Sequence, residues 1–496
     1  MSSPLKKLAS ETAIYGLSTI LARMINFLIV PLYTRVLTQQ DYGASTEIMS
    51  YIAVLQVLLV LGLETGCFRF ANKDGVKDPQ KPFSTALVMV LMSSILFFAL
   101  MFCFSEPLSN LMGYKGYEQM FIYVGALMAL DSITAILFAR LRYMQKALKF
   151  AILKTIKIFT EVGANLVLFF VVPSYLASNP NSWLLNFIPA TPDFSYIIFA
   201  IFISCIVCML LFLPDIFKIK FTISKELWRQ MLIYSLPLMI AGLPGILNDS
   251  LDRILFRFYM PEAVDWRAEL GVFQAAVKLS VIMNLFIQMF RYAAEPFFFA
   301  SGKNRELLAE VMEYFVAFCM LIFLGVVLYI DVIGLILGGD FRGALGTVPF
   351  MLFSYMILGV LFNVSMWYKL SGQTKFAIII TLLGLVVTAV VNILLMPYLS
   401  YWASVYARVL SVLVMLIYSV YLGNKYYPIP YRWRVICKYV AVAVALYGVS
   451  MLFRTLLPNA HRVIILLINT LLLVCYLVFW LKISKLYSKL LRIIKK

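Results

Sequence analysis

Charge is scarce in this chain, and histidine is nearly absent. Only 13% of the 496 residues are charged, and His461 is the single histidine. A soluble chain of this length would be about a quarter charged. A lone histidine has no partner, so neither a zinc site nor a histidine base is expected. No polar stretch is long enough to form a soluble domain. No glycine-rich nucleotide-phosphate loop occurs, which excludes an ATP-driven pump. Acids are outnumbered by bases, 24 to 42. Seven cysteines occur, and Cys205 and Cys208 form a CxxC. That spacing serves metal or redox sites in soluble proteins. Here it sits inside an apolar run and reads as two small residues one helical turn apart.

Hydrophobic residues make up 63% of the chain. Apolar runs of roughly 20 residues recur from end to end, the length that crosses a ~30 Å hydrocarbon core. The fold class is therefore an all-α polytopic membrane protein. Lys6 and Lys7 would suit the start of a secretory signal. Arg23 and Asn26 interrupt the apolar core such a signal needs, and no small-x-small cleavage site follows. The first helix is expected to remain as a span.

Fourteen spans are read at 12–33, 44–65, 83–104, 117–139, 151–172, 194–214, 230–250, 268–291, 308–330, 345–367, 376–396, 400–421, 435–455 and 462–482. With both termini in the cytoplasm, the inside segments hold 31 of the lysines and arginines and the outside loops hold 8. This asymmetry sets the orientation by the positive-inside rule. It also accounts for the net charge of +18 through topology and anionic-lipid contact. No nucleic-acid partner is needed to explain it. The outside segment "VPSYLASNPNSWLLNFIPATPDF" (172–194) has no basic residue, and its prolines and Trp183 read as an ordered cap at the lipid interface.

The chain repeats itself after six spans. Tyr15 aligns with Tyr234, Arg35 with Arg253, and Gly43 with Gly271. In a second register Lys149-Phe150-Ala151 meets Lys375-Phe376-Ala377, and Asn165 meets Asn392 with a one-residue slip. A six-span shift preserves orientation, so the repeat is parallel, and halves of this kind commonly enclose a central site. Residues 1–221 form an N-terminal lobe, 222–423 a C-terminal lobe, and 424–496 two extra helices with a basic tail.

Several spans carry charges, which are costly at bilayer depth and normally face the bundle interior. In "STILARMINFLIVPLYTR" (18–35), Arg23 and Asn26 share a stripe with Tyr15, Thr19 and Tyr33. Asp131 lies near the middle of span 4. Lys154, Lys157, Glu161 and Asn165 align on span 5. Asn248, Asp249, Asp252 and Arg253 lie in the outer half of span 7. Span 8 carries Gln274, Lys278, Asn284, Gln288, Arg291 and Glu295, and Arg408 lies in span 12. Two readings stand. The charges pair across helices and hold them in register, with Asp249–Arg253 and Lys157–Glu161 as i, i+4 candidates. Alternatively they line a wet cavity, where Arg23, Lys278, Arg291 and Arg408 face an anion. Arginine suits the second role, because its planar fork binds phosphate oxygens two at a time.

Fourteen spans, the parallel repeat, "KKLASETAIYGLSTILARMINFLIVPLYTRVLTQQDYGASTEI" and "LDRILFRF…LGVFQAAVKL" together resemble the polysaccharide branch of the multidrug/oligosaccharidyl-lipid/polysaccharide (MOP) exporter superfamily. The likeness is greatest to O-antigen and capsule repeat-unit flippases of bacterial inner membranes. The resemblance implies two six-helix lobes in a V, working by alternating access, plus two C-terminal helices. It implies a glycan on undecaprenyl pyrophosphate as cargo, membrane lipids as surroundings, polysaccharide polymerase machinery as a partner, and a monomer. Related flippases place an arginine in span 1 and basic residues in spans 7 and 8. Arg23, Arg253 and Lys278 occupy comparable places, with Asn26, Arg291 and Arg408 as further substrate contacts. H⁺ or Na⁺ is expected to couple at Asp131, Glu161, Asp249 or Asp252. No cofactor, metal or enzymatic chemistry is expected. A lipid II flippase and a multidrug/cation antiporter of the same superfamily are the alternatives.

Overall fold

A computed structural model describes Gly16, Ile20, Leu21 and residues 24–72, 78–219, 221, 224–301, 304–457 and 462–484. Arg23, Tyr15, Thr19 and His461 lie outside the described residues. In lipid every backbone amide must be satisfied within the protein, which leaves helices as the economical solution. Among the described residues the regular structure is helical throughout. Among the described residues thirteen helices are long and apolar enough to cross a membrane.

The first expected span contributes helix α1 (Met24–Val36). Then follow α2 (Gln39–Val60), α3 (Leu63–Ala71), α4 (Gln80–Cys103), α5 (Ser105–Leu111), α6 (Glu118–Tyr143), α7 (Ala147–Leu166), α8 (Val172–Ser178), α9 (Phe194–Ile216), α10 (Lys225–Tyr259) and α11 (Trp266–Ser301). The remainder comprises α12 (Arg305–Val327), α13 (Val348–Val364), α14 (Met366–Leu370), α15 (Lys375–Leu399), α16 (Tyr401–Tyr426), α17 (Trp433–Leu456) and α18 (Arg462–Ile483). The helix starts carry local signals. Thr38 Oγ1 accepts from the Asp41 amide at 3.1 Å, and Asn304 Oδ1 from the Leu307 amide at 3.1 Å. Each satisfies one of the four orphan donors of a helix start.

Some elements depart from the expected spans. The second span is broken between α2 and α3, where Leu61 and Gly62 both take positive φ. The fifth loosens into a π-turn over Val167–Val171 before α8, so helix continues to Ser178 into the supposed outer cap. The outer end of α10 runs on to Tyr259, so Arg253 and Arg257 are helical residues and not loop residues.

The chain forms two compact units, residues 1–271 and 272–496. In the first, α2 packs on α6 and α10, α4 on α6, and α9 on α6 and α7. One core gathers Leu63, Cys67, Phe83, Phe138 and Phe212, and a second Ile48, Tyr114, Phe121, Phe194 and Ile198. Gly43 of α2 meets the start of α11 with almost no separation. A Cβ on Gly43 would lie 1.8 Å from the Arg267 carbonyl oxygen, and one on Gly271 2.1 Å from that of Gln39. These are the two glycines that the repeat aligned. In the second unit, α16 packs on α13 and α15, and α17 and α18 pack on α12 and on each other.

Candidate functional site

On α7, residues 154, 157, 161 and 165 recur every three or four positions and so share one face. The structure turns that face toward α6. Lys157 Nζ forms an ion pair with Asp131 Oδ1. This differs from the expected Lys157–Glu161 pair, because α6 and α7 pack together and Asp131 reaches across. Glu161 stays within electrostatic reach of both Lys157 and Asp131. Among the described residues no cation lies within ion-pair distance of the Glu161 carboxylate. Lys154 Nζ lies 4.6 Å from the Phe138 ring centre. Asn165 is fully buried. It accepts from the Tyr33 hydroxyl at 2.8 Å and donates to the Glu161 carbonyl at 2.8 Å. The Tyr33 ring rests against Phe169 at 5.7 Å and Tyr42 at 6.4 Å.

Two lysines and two carboxylates thus sit together with balanced charge. The Asp131 side chain is 41% accessible, so it is not sealed in the core. Mutual neutralisation lowers the cost of holding four ionisable groups at membrane depth.

Other candidates of this unit lie apart from that network. Asn26 is exposed on α1. On α10, Asn248 is buried, Asp249 is exposed, and Asp252 and Arg253 are partly buried. Arg253 acts electrostatically on Tyr42. Its Nε is buried without a hydrogen-bond partner among the described residues. A buried orphan donor is costly, and it leaves one edge of the guanidinium available to an acceptor.

The second unit holds the remaining cations. Lys278 is exposed on α11, whereas Gln274, one turn away, is buried at 3% exposure. The expected stripe therefore divides into a packed start and an open continuation. Further along α11, Gln288 donates to Asn284 at 3.3 Å. Arg291 is exposed, with its guanidinium carbon 4.8 Å from the Phe362 ring centre. Arg408 on α16 is 5.8 Å from the Tyr355 ring centre.

One further cluster lies outside the polar stripes expected from spacing. Glu47, with no accessible surface, accepts from Arg257 Nε at 2.5 Å, from Arg257 Nη2 at 2.8 Å and from the Tyr114 hydroxyl at 2.6 Å. Arg257 and Arg267 each lie 4.8 Å from the Trp266 ring centre, and Arg267 donates to the Gly113 carbonyl at 3.0 Å. The signal was present: an acid inside the α2 apolar run and an arginine in "LDRILFRF". Their 210-residue separation hid the pairing. Both carboxylate oxygens are engaged, so the cluster holds α2, the 112–117 turn and the end of α10 together.

Cys205 and Cys208 are both buried thiols on α9. Among the described residues no group of three histidine, cysteine or acidic side chains is placed to hold a metal.

Comparison with known proteins places this geometry in a lineage. The profile of the family described as "Polysaccharide biosynthesis protein" matches residues 8–301. No curated protein sequence matches. A solved structure described as "Lipid II flippase MurJ, inward closed conformation" superposes with a TM-score of 0.72 at 12% identity, over 94% of this chain and 98% of that one. An inward-facing multidrug resistance MATE family transporter of the MOP superfamily superposes at 0.57 and 14% identity, over 84% and 95%. A MATE protein in complex with MaD3S superposes at 0.55 and 15% identity, over 84% and 94%. The family match spans more than half of the chain, and the helical arrangement is that of MurJ and MATE. This chain belongs to the polysaccharide biosynthesis protein family, and its fold is shared with the MurJ flippase and a MATE transporter of the MOP superfamily.

Proposed function

We propose that the chain moves oligosaccharide repeat units linked to undecaprenyl pyrophosphate from the inner to the outer leaflet of a bacterial inner membrane. The units would serve O-antigen, capsule or exopolysaccharide. The problem is physical: a pyrophosphate glycan in hydrocarbon loses water that nothing replaces. Fixed cations supply the replacement. Arg23, Asn26, Arg253, Lys278, Arg291 and Arg408 are the residues assigned to the headgroup. The buried Nε of Arg253, without a hydrogen-bond partner among the described residues, carries this reading, because it leaves a guanidinium donor open to a phosphate oxygen. The termini and the basic loops then face the cytoplasm, and the repeat divides the chain into lobes 1–221 and 222–423, with 424–496 appended.

Net movement also needs a bias, since a cargo bound equally in both states shifts nothing. Glu161 is the coupling group assigned here. Asp131 is committed to Lys157, and Glu161 has no ion-pair partner of its own among the described residues. Asp249 and Asp252 remain as a second acidic station on α10. H⁺ and Na⁺ are distinguished by measuring transport with a Glu161→Gln variant across imposed gradients of each. Ion dependence should vanish, and unchanged dependence removes Glu161 from the scheme. A second reading, a lipid II flippase, draws on the likeness to MurJ. Deleting the gene decides between them. Lipid-linked repeat units accumulating on the inner leaflet, with peptidoglycan intact, support the first. Loss of peptidoglycan synthesis supports the second.

A further inference from the structure

Arg291 and Glu295 lie one turn apart near the end of α11, and Lys369 lies on α14. Lys369 Nζ is 2.6 Å from Glu295 Oε1 and 5.1 Å from the Phe362 ring centre. Arg291 rests against the same ring at 4.8 Å. Phe362 is buried at 9% exposure, in a cluster with Ala294, Phe298, Leu308 and Met366. The ring is therefore a fixed platform for two cations, and a single acid answers them. Among the described residues no carboxylate lies within ion-pair distance of Arg291. Arg291 closes the span read over 268–291, and Glu295 lies one turn beyond it. By the distribution of basic residues this end faces the cytoplasm, so the group lies at the membrane surface.

The Lys369–Glu295 pair is partly exposed, at 24% and 39% of the side chains. Pairs of that kind contribute little and open cheaply. A pyrophosphate ester brings two negative charges against the carboxylate's one, and its oxygens match the guanidinium fork. We infer that Arg291 and Lys369 form a seat for a phosphate-ester headgroup at the cytoplasmic surface, which Glu295 closes while it is empty. Glu295 is the internal competitor: it occupies Lys369 until a phosphate displaces it. The proposal deepens the flippase reading and rests on it, since the cargo arrives from this side carrying a pyrophosphate.

The test uses the full chain in nanodiscs of zwitterionic lipid, titrated with inorganic pyrophosphate and followed by thermophoresis. Glu295→Gln keeps the side chain's shape and removes the competitor, so binding should tighten on the order of tenfold. Arg291→Ala and Lys369→Ala should each weaken it by a similar factor. A purely structural ion pair predicts the reverse for Glu295→Gln: a lower melting temperature with no gain in affinity. Unchanged or weaker binding by Glu295→Gln overturns the seat. Nanodiscs containing phosphatidylglycerol separate the sources. Competition with pyrophosphate at this site identifies a bulk lipid headgroup as an occupant, and its absence reserves the seat for a pyrophosphate. The two readings fail separately. If Glu295→Gln behaves as wild type while gene deletion still accumulates inner-leaflet repeat units, the seat is wrong and the flippase stands. If the seat behaves as stated and nothing accumulates, the flippase reading is wrong.

Discussion

Glu47 has no accessible surface and three donors aimed at its carboxylate. Removing one partner of a buried pair leaves the other charge uncompensated, at about 3–5 kcal/mol. Glu47→Ala should therefore lower the thermal midpoint of the purified protein far more than a change at exposed Asp249. A midpoint matching the wild type would show that Arg257 finds another partner. Outside the spans, Asp193 accepts from the Ser195 amide at 2.8 Å and from the Tyr117 hydroxyl at 2.9 Å. Burial raises its carboxyl above the ordinary aspartate value, and those hydrogen bonds only partly oppose this. The folded state thus binds the proton more tightly than the unfolded chain. The resulting stability is full below the unfolded value and is lost as pH rises through the folded value. Asp193→Asn should flatten that part of the stability–pH profile, and an unchanged slope would exclude Asp193 as its source. At this scale the sequence was partly legible. Spacing alone placed Lys157, Glu161 and Asn165 on one face. It could not choose Asp131 over Glu161 as the partner of Lys157, because that choice depends on how α6 and α7 pack.

Among the elements, α2 and α11 meet where side chains are absent. A Cβ at Gly43 would fall 1.8 Å from a backbone oxygen, and backbone cannot swing aside as a flexible side chain can. Gly43→Val should cost about 1–3 kcal/mol or prevent insertion of a stable protein. Normal yield and melting would mean that the two helices separate freely. In the second unit α18 is held by buried polar contacts. Asn469 donates to the Leu328 carbonyl at 2.5 Å and accepts from Ser450 at 2.7 Å, and the Tyr476 hydroxyl donates to the Ala317 carbonyl at 3.0 Å. Asn469→Leu leaves those partners short of a bond, at about 1–3 kcal/mol. Proteolysis of α18 in detergent should accelerate, and an unchanged rate would show that apolar packing alone holds it. The existence of these helices was legible from apolar runs. The break at Leu61–Gly62 and the π-turn after Leu166 were not, since neither leaves a mark in hydropathy. The extension of α10 to Tyr259 was hidden because the apolar run fades after residue 250, and Arg257 is tied to the bundle by Glu47, 210 residues away.

For the whole molecule, fold class and family followed from features spread along the entire chain: apolar runs, basic-loop asymmetry and diffuse motifs such as "PLYTRVLTQQDYG". Distributed features survive errors at single residues, which is why they agree with the family profile and the MurJ and MATE folds. The proposed headgroup site is less legible, because it depends on which cations are satisfied. Arg257, unremarked in sequence, is fully engaged by Glu47, whereas Arg253 one turn earlier has a donor unfilled. The most direct measurement is translocation by the purified protein in liposomes carrying undecaprenyl-pyrophosphate oligosaccharide in one leaflet. The proposed function predicts transfer to the other leaflet well above protein-free liposomes, and a loss of about tenfold or more, ~1.4 kcal/mol in barrier, for Arg253→Ala and for Lys278→Ala. Transfer no faster than in protein-free liposomes, or full transfer by both variants, would contradict it.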